Sequence, residues 1–350
     1  MDSSIAAILL QDGVTQGAVY ALIALALVLV FSVTRIIFIP QGEFVAFGAM
    51  TIAALQMNKA PMTAMLLLVL GVLTFAVEAA AMLGNPVRRR RARRDLPVQA
   101  GKYLLLPLAV YGLTIYLAPR TLAPALQVGL TLAIVVPMGP MLYRLVYRPL
   151  ERASVLVLLI ASVALHLAMV GLGLLIFGAE GYRSAPLTDS QFAIGAQAIP
   201  GQNLLVLGTA VVAIGALYLY FGRTLSGKAL KATAINSLGA QLVGIGTIQA
   251  GKLALTLAVL IGAVCGILIG PLTTISYDTG FLIALKGFVG AIFGGLGSYP
   301  IAAAGAWTVG LLDSFSSFWA SAFKEVIVFT LIIPILIWRS LVSPHSDSDH

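Results

Sequence analysis

Long apolar runs separated by short polar or Gly/Pro-containing breaks govern this chain from end to end. Runs of about 20 apolar residues have the length of a helix that crosses a hydrocarbon core of roughly 30 Å. They lack the strict alternation of a half-buried strand. In lipid the backbone must satisfy its own polar groups, so such runs mean helices rather than a barrel. The pattern predicts spans near residues 13–33, 42–57, 61–84, 103–117, 122–143, 155–177, 204–221, 252–271, 281–297, 301–317 and 322–338. The expectation is an all-α polytopic membrane protein with ten to eleven transmembrane segments, the run at 281–297 being short enough for a half-helix.

Composition strengthens the membrane reading. Hydrophobic residues make up 60% and charged residues 10% of the 350 positions, against about 25% charged in soluble domains. The opening MDSSIAAILLQD has no basic n-region and leads into a run long enough to span, so no cleavable signal peptide is expected. The single cysteine, Cys265, lies in an apolar run, which excludes a disulfide within the chain and makes packing its default role. Pro40 cannot donate a backbone hydrogen bond and disfavours helix at Ile39, so a helix breaks or restarts there.

Between two of the runs lies FGRTLSGKALKATAINSLGAQLVGIG, residues 221–246, a basic Ala/Gly-rich amphipathic segment. Its Gly227, Lys228, Lys231, Ala232 and Asn236, followed by Ala240, Gly244 and Ile245, resemble the coupling loop of ABC-importer permeases. The closer resemblance is to the LivH-type permeases of branched-chain amino acid importers. There such a loop forms short helices seated in a groove of an ATPase subunit. The plainer alternative is an ordinary basic loop.

Two further stretches carry the same resemblance. The opening Gly13-x-x-x-Gly17-Ala18-Val19-Tyr20 follows that of LivH-type permeases, and Gly13 and Gly17 make a small-xxx-small face for close helix approach. Where the family reads Ile-Asn-Phe-Ala-His-Gly-Glu, this chain has Ile37-Phe38-Ile39-Pro40-Gln41-Gly42-Glu43, keeping only the Gly-Glu pair of the last four. In the C-terminal third, Gly280-Phe281, Lys286-Gly287-Phe288 and Gly294-Gly295-Leu296-Gly297-Ser298 are similar to a family series, followed by Lys324 and Glu325. Gly290-xxx-Gly294 and the ladder Gly262, Gly266, Gly270 read as helix-packing positions.

Placing residues 222–251 in the cytoplasm fixes every other loop by alternation. Arg35, the run Arg88–Arg94, Lys102, Arg144, Arg148, Arg152, Arg223, Lys228, Lys231, Lys252 and Arg339 then share that side. The opposite loops hold Lys59, Arg120, Arg183 and Lys324. This asymmetry, independent of the placement, is the positive-inside rule. The N-terminus is expected outside and the C-terminus inside. The organisation expected is a permease domain over 1–341 and a polar tail over 342–350. Within the domain lie a basic cytoplasmic loop at 86–102 with an adjacent insertion, and the coupling loop at 222–251. The arginine run serves either as a stop-transfer anchor or as a site for anionic headgroups or the ATPase.

Candidate residues of a translocation path are Tyr20, Gln41, Gly42, Glu43, Lys286 and Glu325. A lysine at mid-span costs roughly 2.5–3.5 kcal/mol to insert. Lys286 is therefore expected to face a cavity, a carboxylate or helix-end carbonyls, with an ion pair to Asp278, Asp313 or Glu325 and contact with a substrate carboxylate as the two readings. Glu43 opens a helix, where a carboxylate favours the N-terminus; its alternative is a gating role. His166 has no Cys, Asp or Glu at ligand spacing and reads as a packing histidine, with a proton carrier as the alternative. The tail ending His345-Ser-Asp-Ser-Asp-His350 reads as disordered, and no metal site is expected.

No enzyme signature occurs. Each Gly-Lys pair is followed by Tyr103, Ala229 or Leu253, so the chain holds no phosphate loop. The resemblance implies a bacterial inner-membrane subunit paired with a LivM-like permease, two cytoplasmic ATPases that bind ATP-Mg, and a periplasmic solute-binding protein. It implies no cofactor on this chain, contact with lipid, and no nucleic acid. The implied cargo is a small amphipathic solute such as a branched-chain amino acid, with urea, short amides and aromatic acids as family alternatives. The rival class is a stand-alone secondary transporter using Glu43, Glu78, Lys286 and Asp313 as coupling residues.

Overall fold

The computed structural model describes residues 3–84, 96–151, 153–194 and 197–342. All eleven apolar runs are helical. In order they give α1 (Ser3–Thr34), α2 (Gln41–Gln56), α3 (Thr63–Leu83), α4 (Leu96–Leu117), α5 (Pro124–Leu150) and α6 (Val155–Phe177). A hairpin of β1 (Gln191–Ile194) and β2 (Gln197–Pro200) follows, then α7 (Gly201–Arg223), α8 (Leu225–Ile235), α9 (Ser237–Leu242), α10 (Thr247–Ile269), α11 (Thr279–Phe293) and α12 (Tyr299–Trp319). The last run is broken, with a 3-10 turn at Ser321–Phe323 preceding α13 (Lys324–Thr330) and α14 (Ile332–Val342).

Seven of these helices, α1, α3, α4, α5, α6, α7 and α10, are long and apolar enough to cross a bilayer. The other runs give α2 and α11, of 16 and 15 residues, α12, which carries Asp313 among three serines, and the broken α13–α14 pair. Two boundaries move outward from expectation. The stretch expected as loop at 86–102 is helical from Leu96 onward, because Pro97 is tolerated in a first turn. Pro107, which cannot donate to Tyr103, is absorbed by a wide π-turn at Gly101–Leu105. Likewise α5 runs on to Leu150 through a π-turn at Tyr143–Tyr147 and a 3-10 turn. The arginine run and the tail from 343 onward lie outside the described residues.

Burial is inverted relative to a water-soluble protein. Its most apolar helix, α6, has only 17% of its best window buried, and α7 only 11%, while α1 has 83%. Leu156, Leu167, Leu175 and Val212 stand exposed on α6 and α7. Apolar surface on that scale needs lipid rather than water around it. The central helix, α1, touches α7, α8, α10, α11 and α12, and α2 lies against α5, α6, α10 and α11.

Small residues set the closest crossings, since without water only close packing and hydrogen bonds hold helices together. A Cβ on Gly42 would strike the Gly280 carbonyl of α11, and one on Gly280 would strike that of Gly42. Gly17 meets Gly310 and Trp307 of α12, while Gly13 meets Leu311. Gly262 lies against Gln41 and Phe44, and Gly266 against Val45 and Ala49 of α2. Gly290 and Gly294 seat Ala306 and Ala302 of α12.

The chain turns between α1 and α2 at residues 35–40. Arg35 sits at φ +60°, and α2 restarts with Pro40 in the N-cap position, as the proline requires.

Candidate functional site

Lys286, near the middle of α11, projects into a cavity of about 370 Å³ between α1, α11, α12 and α13. Its Nζ lies 2.9 Å from Asp313 Oδ1 and 3.1 Å from Glu325 Oε1. Tyr20 donates its hydroxyl to Asp313 Oδ2 at 3.0 Å, and its ring lies 6.0 Å from the lysine nitrogen. Lys324 stands 3.9 Å from Glu325 at the wetter edge. Asp278 is not part of the group: it accepts from Ser276 Oγ at 2.6 Å. Four chain segments thus converge on one buried cation held by two carboxylates. Both charge signs face one pocket, whose walls include Leu272, Leu282 and Ile283. Such a pocket has the chemistry to hold a small zwitterion.

A second polar pair lies on α2 and α6. Glu43 Oε1 is 2.7 Å from His166 Nδ1, and the imidazole lies 4.6 Å from the Phe281 ring. Glu43 occupies the first turn of α2, where the helix dipole favours it. Its second oxygen has no hydrogen-bond partner among the described residues. His166 therefore has a carboxylate partner that local spacing did not show, because that partner is 123 positions away. Gln41, two residues before Glu43, turns the other way and donates to the Ala258 carbonyl of α10 at 2.9 Å. Gly42 lies between them at the crossing with Gly280.

A third group gathers at one end of α3 and α5, where Glu78 is clasped by Arg144 and Arg148 and Arg144 lies over the Tyr103 ring at 5.3 Å. Lys252 and the loop at 244–247 border a cavity beside the two arginines.

The basic segment folds as two short helices set on the ends of α7 and α10. Thr224 caps α8 by accepting from Gly227 N at 3.0 Å, and Asn236 caps α9 by accepting from Gly239 N at 2.8 Å. Gly244, at φ +87°, lets the chain leave α9 toward α10. Of the residues singled out here, Lys228, Lys231, Asn236 and Gly244 are exposed, Ala232 and Ile245 half-buried. Gly227 and Ala240 instead face inward, and a Cβ on Gly227 would strike the Tyr220 carbonyl. Sequence reasoning missed the outward row of Leu225, Ile235, Leu238, Leu242 and Val243, each at least 68% exposed. Among the described residues no group of three or more His, Cys, Asp or Glu side chains could hold a metal ion.

Comparison with known proteins agrees with this architecture. The family described as branched-chain amino acid transport system / permease component matches residues 99–336. The high-affinity branched-chain amino acid transport system permease protein LivH of Escherichia coli (strain K12) is 25% identical over 333 residues, covering 93% of this chain and 91% of that protein. LivH of Salmonella typhimurium is 25% identical over 337 residues with the same coverage. The permease protein BraD of Pseudomonas aeruginosa is 27% identical over 209 residues, 57% of this chain and 68% of that protein. No solved structure shows a significant match. The chain therefore belongs to the branched-chain amino acid transport permease family and is a multi-pass membrane permease component of an ABC importer rather than an enzyme.

Proposed function

We propose that this chain lines the path of a branched-chain amino acid across the bacterial inner membrane, and that α8 and α9 receive the stroke of separate ATPases. The observation that carries the coupling reading is the exposed apolar row on α8–α9, flanked by Lys228 and Lys231. Large apolar side chains on short helices beyond the spans mark a protein-docking surface. In this reading ATP-Mg is bound by the partner ATPases, a LivM-like permease completes the path, and a periplasmic binding protein delivers the cargo. The N-terminus lies outside and the C-terminus in the cytoplasm.

The pocket around Lys286 suits a zwitterion with an apolar side chain. Lys286 meets the substrate carboxylate, and Asp313 and Glu325 share the ammonium. Glu325, the more exposed of the two carboxylates, is the one that yields. ATP-driven closure moves α8 and α9, and through them the ends of α1, α7 and α10 on which they rest.

The test is uptake into proteoliposomes holding this chain with its partner permease, ATPases and binding protein. Labelled leucine, isoleucine and valine accumulate only with internal ATP. Accumulation driven by a sodium or proton gradient without ATP would overturn the coupling reading. Preferred uptake of urea, an amide or an aromatic acid would overturn the cargo.

A further inference from the structure

A cavity of about 800 Å³ is separate from the Lys286 pocket. It is a groove between the end of α1, the last turns of α7, the inner face of α8 and the start of α12. Leu25, Ile214 and Leu217 line its depth, and Arg35 and Lys231 stand at its end. No carboxylate lines it, and neither cation forms an ion pair among the described residues. Arg35 lies over the Phe31 ring at 5.9 Å.

We infer that this groove binds one anionic membrane phospholipid, its phosphate held between Arg35 and Lys231 and an acyl chain laid along Leu217, Ile214 and Leu25. Three observations converge. The two cations sit where α1 and α7 end and α12 begins, the level at which spans meet headgroups. From Thr34 back to Leu25 is nine residues, about 14 Å of helix, or roughly half the hydrocarbon thickness; this is the depth of one leaflet. The wall formed by α7 belongs to the least buried span, with Tyr218 79% exposed, so the groove opens sideways to lipid. A free phosphate would leave that apolar depth empty. The inference needs only the membrane placement of the chain and does not rest on the coupling reading.

Two cations near a headgroup contribute about 1 kcal/mol each, which converts to roughly thirtyfold in affinity. The assay is thermal unfolding of the full chain, purified with the subunits that accompany it, titrated with phosphatidylglycerol or phosphatidylcholine. Phosphatidylglycerol should stabilise at concentrations roughly thirtyfold lower than phosphatidylcholine. Arg35→Gln with Lys231→Gln should erase that preference, although Arg88–Arg94 remain intact. Leu217→Trp, which fills the groove and keeps both cations, should weaken both lipids. Glycerol phosphate should give no stabilisation. Equal response to the two lipids, preference surviving in the double variant, or a response to glycerol phosphate equal to that of the lipid overturns the inference. Loss of every lipid effect in the assembled complex, with the effect present for the chain alone, assigns the groove to a protein partner instead.

Discussion

Lys286 Nζ and Asp313 Oδ1 lie 2.9 Å apart on neighbouring helices, with both side chains almost wholly buried. Removing the lysine leaves Asp313 as an unpaired buried anion beside Glu325. Breaking such a pair costs about 3–5 kcal/mol. Lys286→Met should lower thermal stability by that order, and adding Asp313→Asn should recover much of it, because the two residues are directly coupled. A Lys286→Met protein with both stability and leucine uptake intact would refute the structural and the transport role together.

The Glu43–His166 pair makes a sharper contrast between two variants. His166→Phe keeps a ring against Phe281 but leaves the carboxylate without its partner, costing about 1–3 kcal/mol. Glu43→Gln keeps an acceptor for the imidazole and discards the buried charge, so it should cost less. Denaturation in detergent measures both; an equal loss, or a larger one for Glu43→Gln, contradicts the pairing.

The glycines divide into tight and open sites. A Cβ on Gly266 would strike the Val45 carbonyl, so Gly266→Ala should destabilise by about 1–3 kcal/mol. Gly208, in the middle of α7, has nothing within 4 Å. There Gly→Ala should stabilise by about 0.5–1 kcal/mol through helix propensity alone. Thermal shifts of the same sign at the two positions would contradict the packing of α10 on α2.

Much of this arrangement was legible in the chain. Apolar runs marked the helices other than α8 and α9, which the family resemblance suggested, and gave α13 and α14 as one span. Pro40 marked the restart at α2, and the three Gly-bearing stretches carried the family resemblance. The mid-span cost of Lys286 correctly demanded a partner, and Asp313 and Glu325 were among those considered. The partner of His166 was not legible, because local spacing cannot report a contact between α2 and α6. The hairpin at β1 and β2 escaped notice for a similar reason: its four-residue strands are too short to stand out from a loop. Helix extensions at Leu96 and Leu150 were hidden by prolines, which break most helices but here sit in a first turn or beside a wide one.

Sidedness follows from one pair of exposed positions. In a Cys265→Ala background, Asp189→Cys should react with an impermeant thiol reagent in intact cells, and Ser237→Cys only after lysis. The reverse pattern would put α8 and α9 on the wrong face for any cytosolic ATPase.

The most direct test of the coupling claim is a crosslink from α9 to the ATPase. Leu238→Cys, exposed on the apolar row, is paired with single cysteines on the partner ATPase in the Cys265→Ala background, with and without ATP. The account predicts a crosslink whose yield changes with ATP, and predicts that Gly244→Trp and Lys231→Glu lower both that yield and leucine uptake while membrane insertion is retained. No crosslink at any ATPase position, or unchanged yield and normal uptake in both variants, would contradict it.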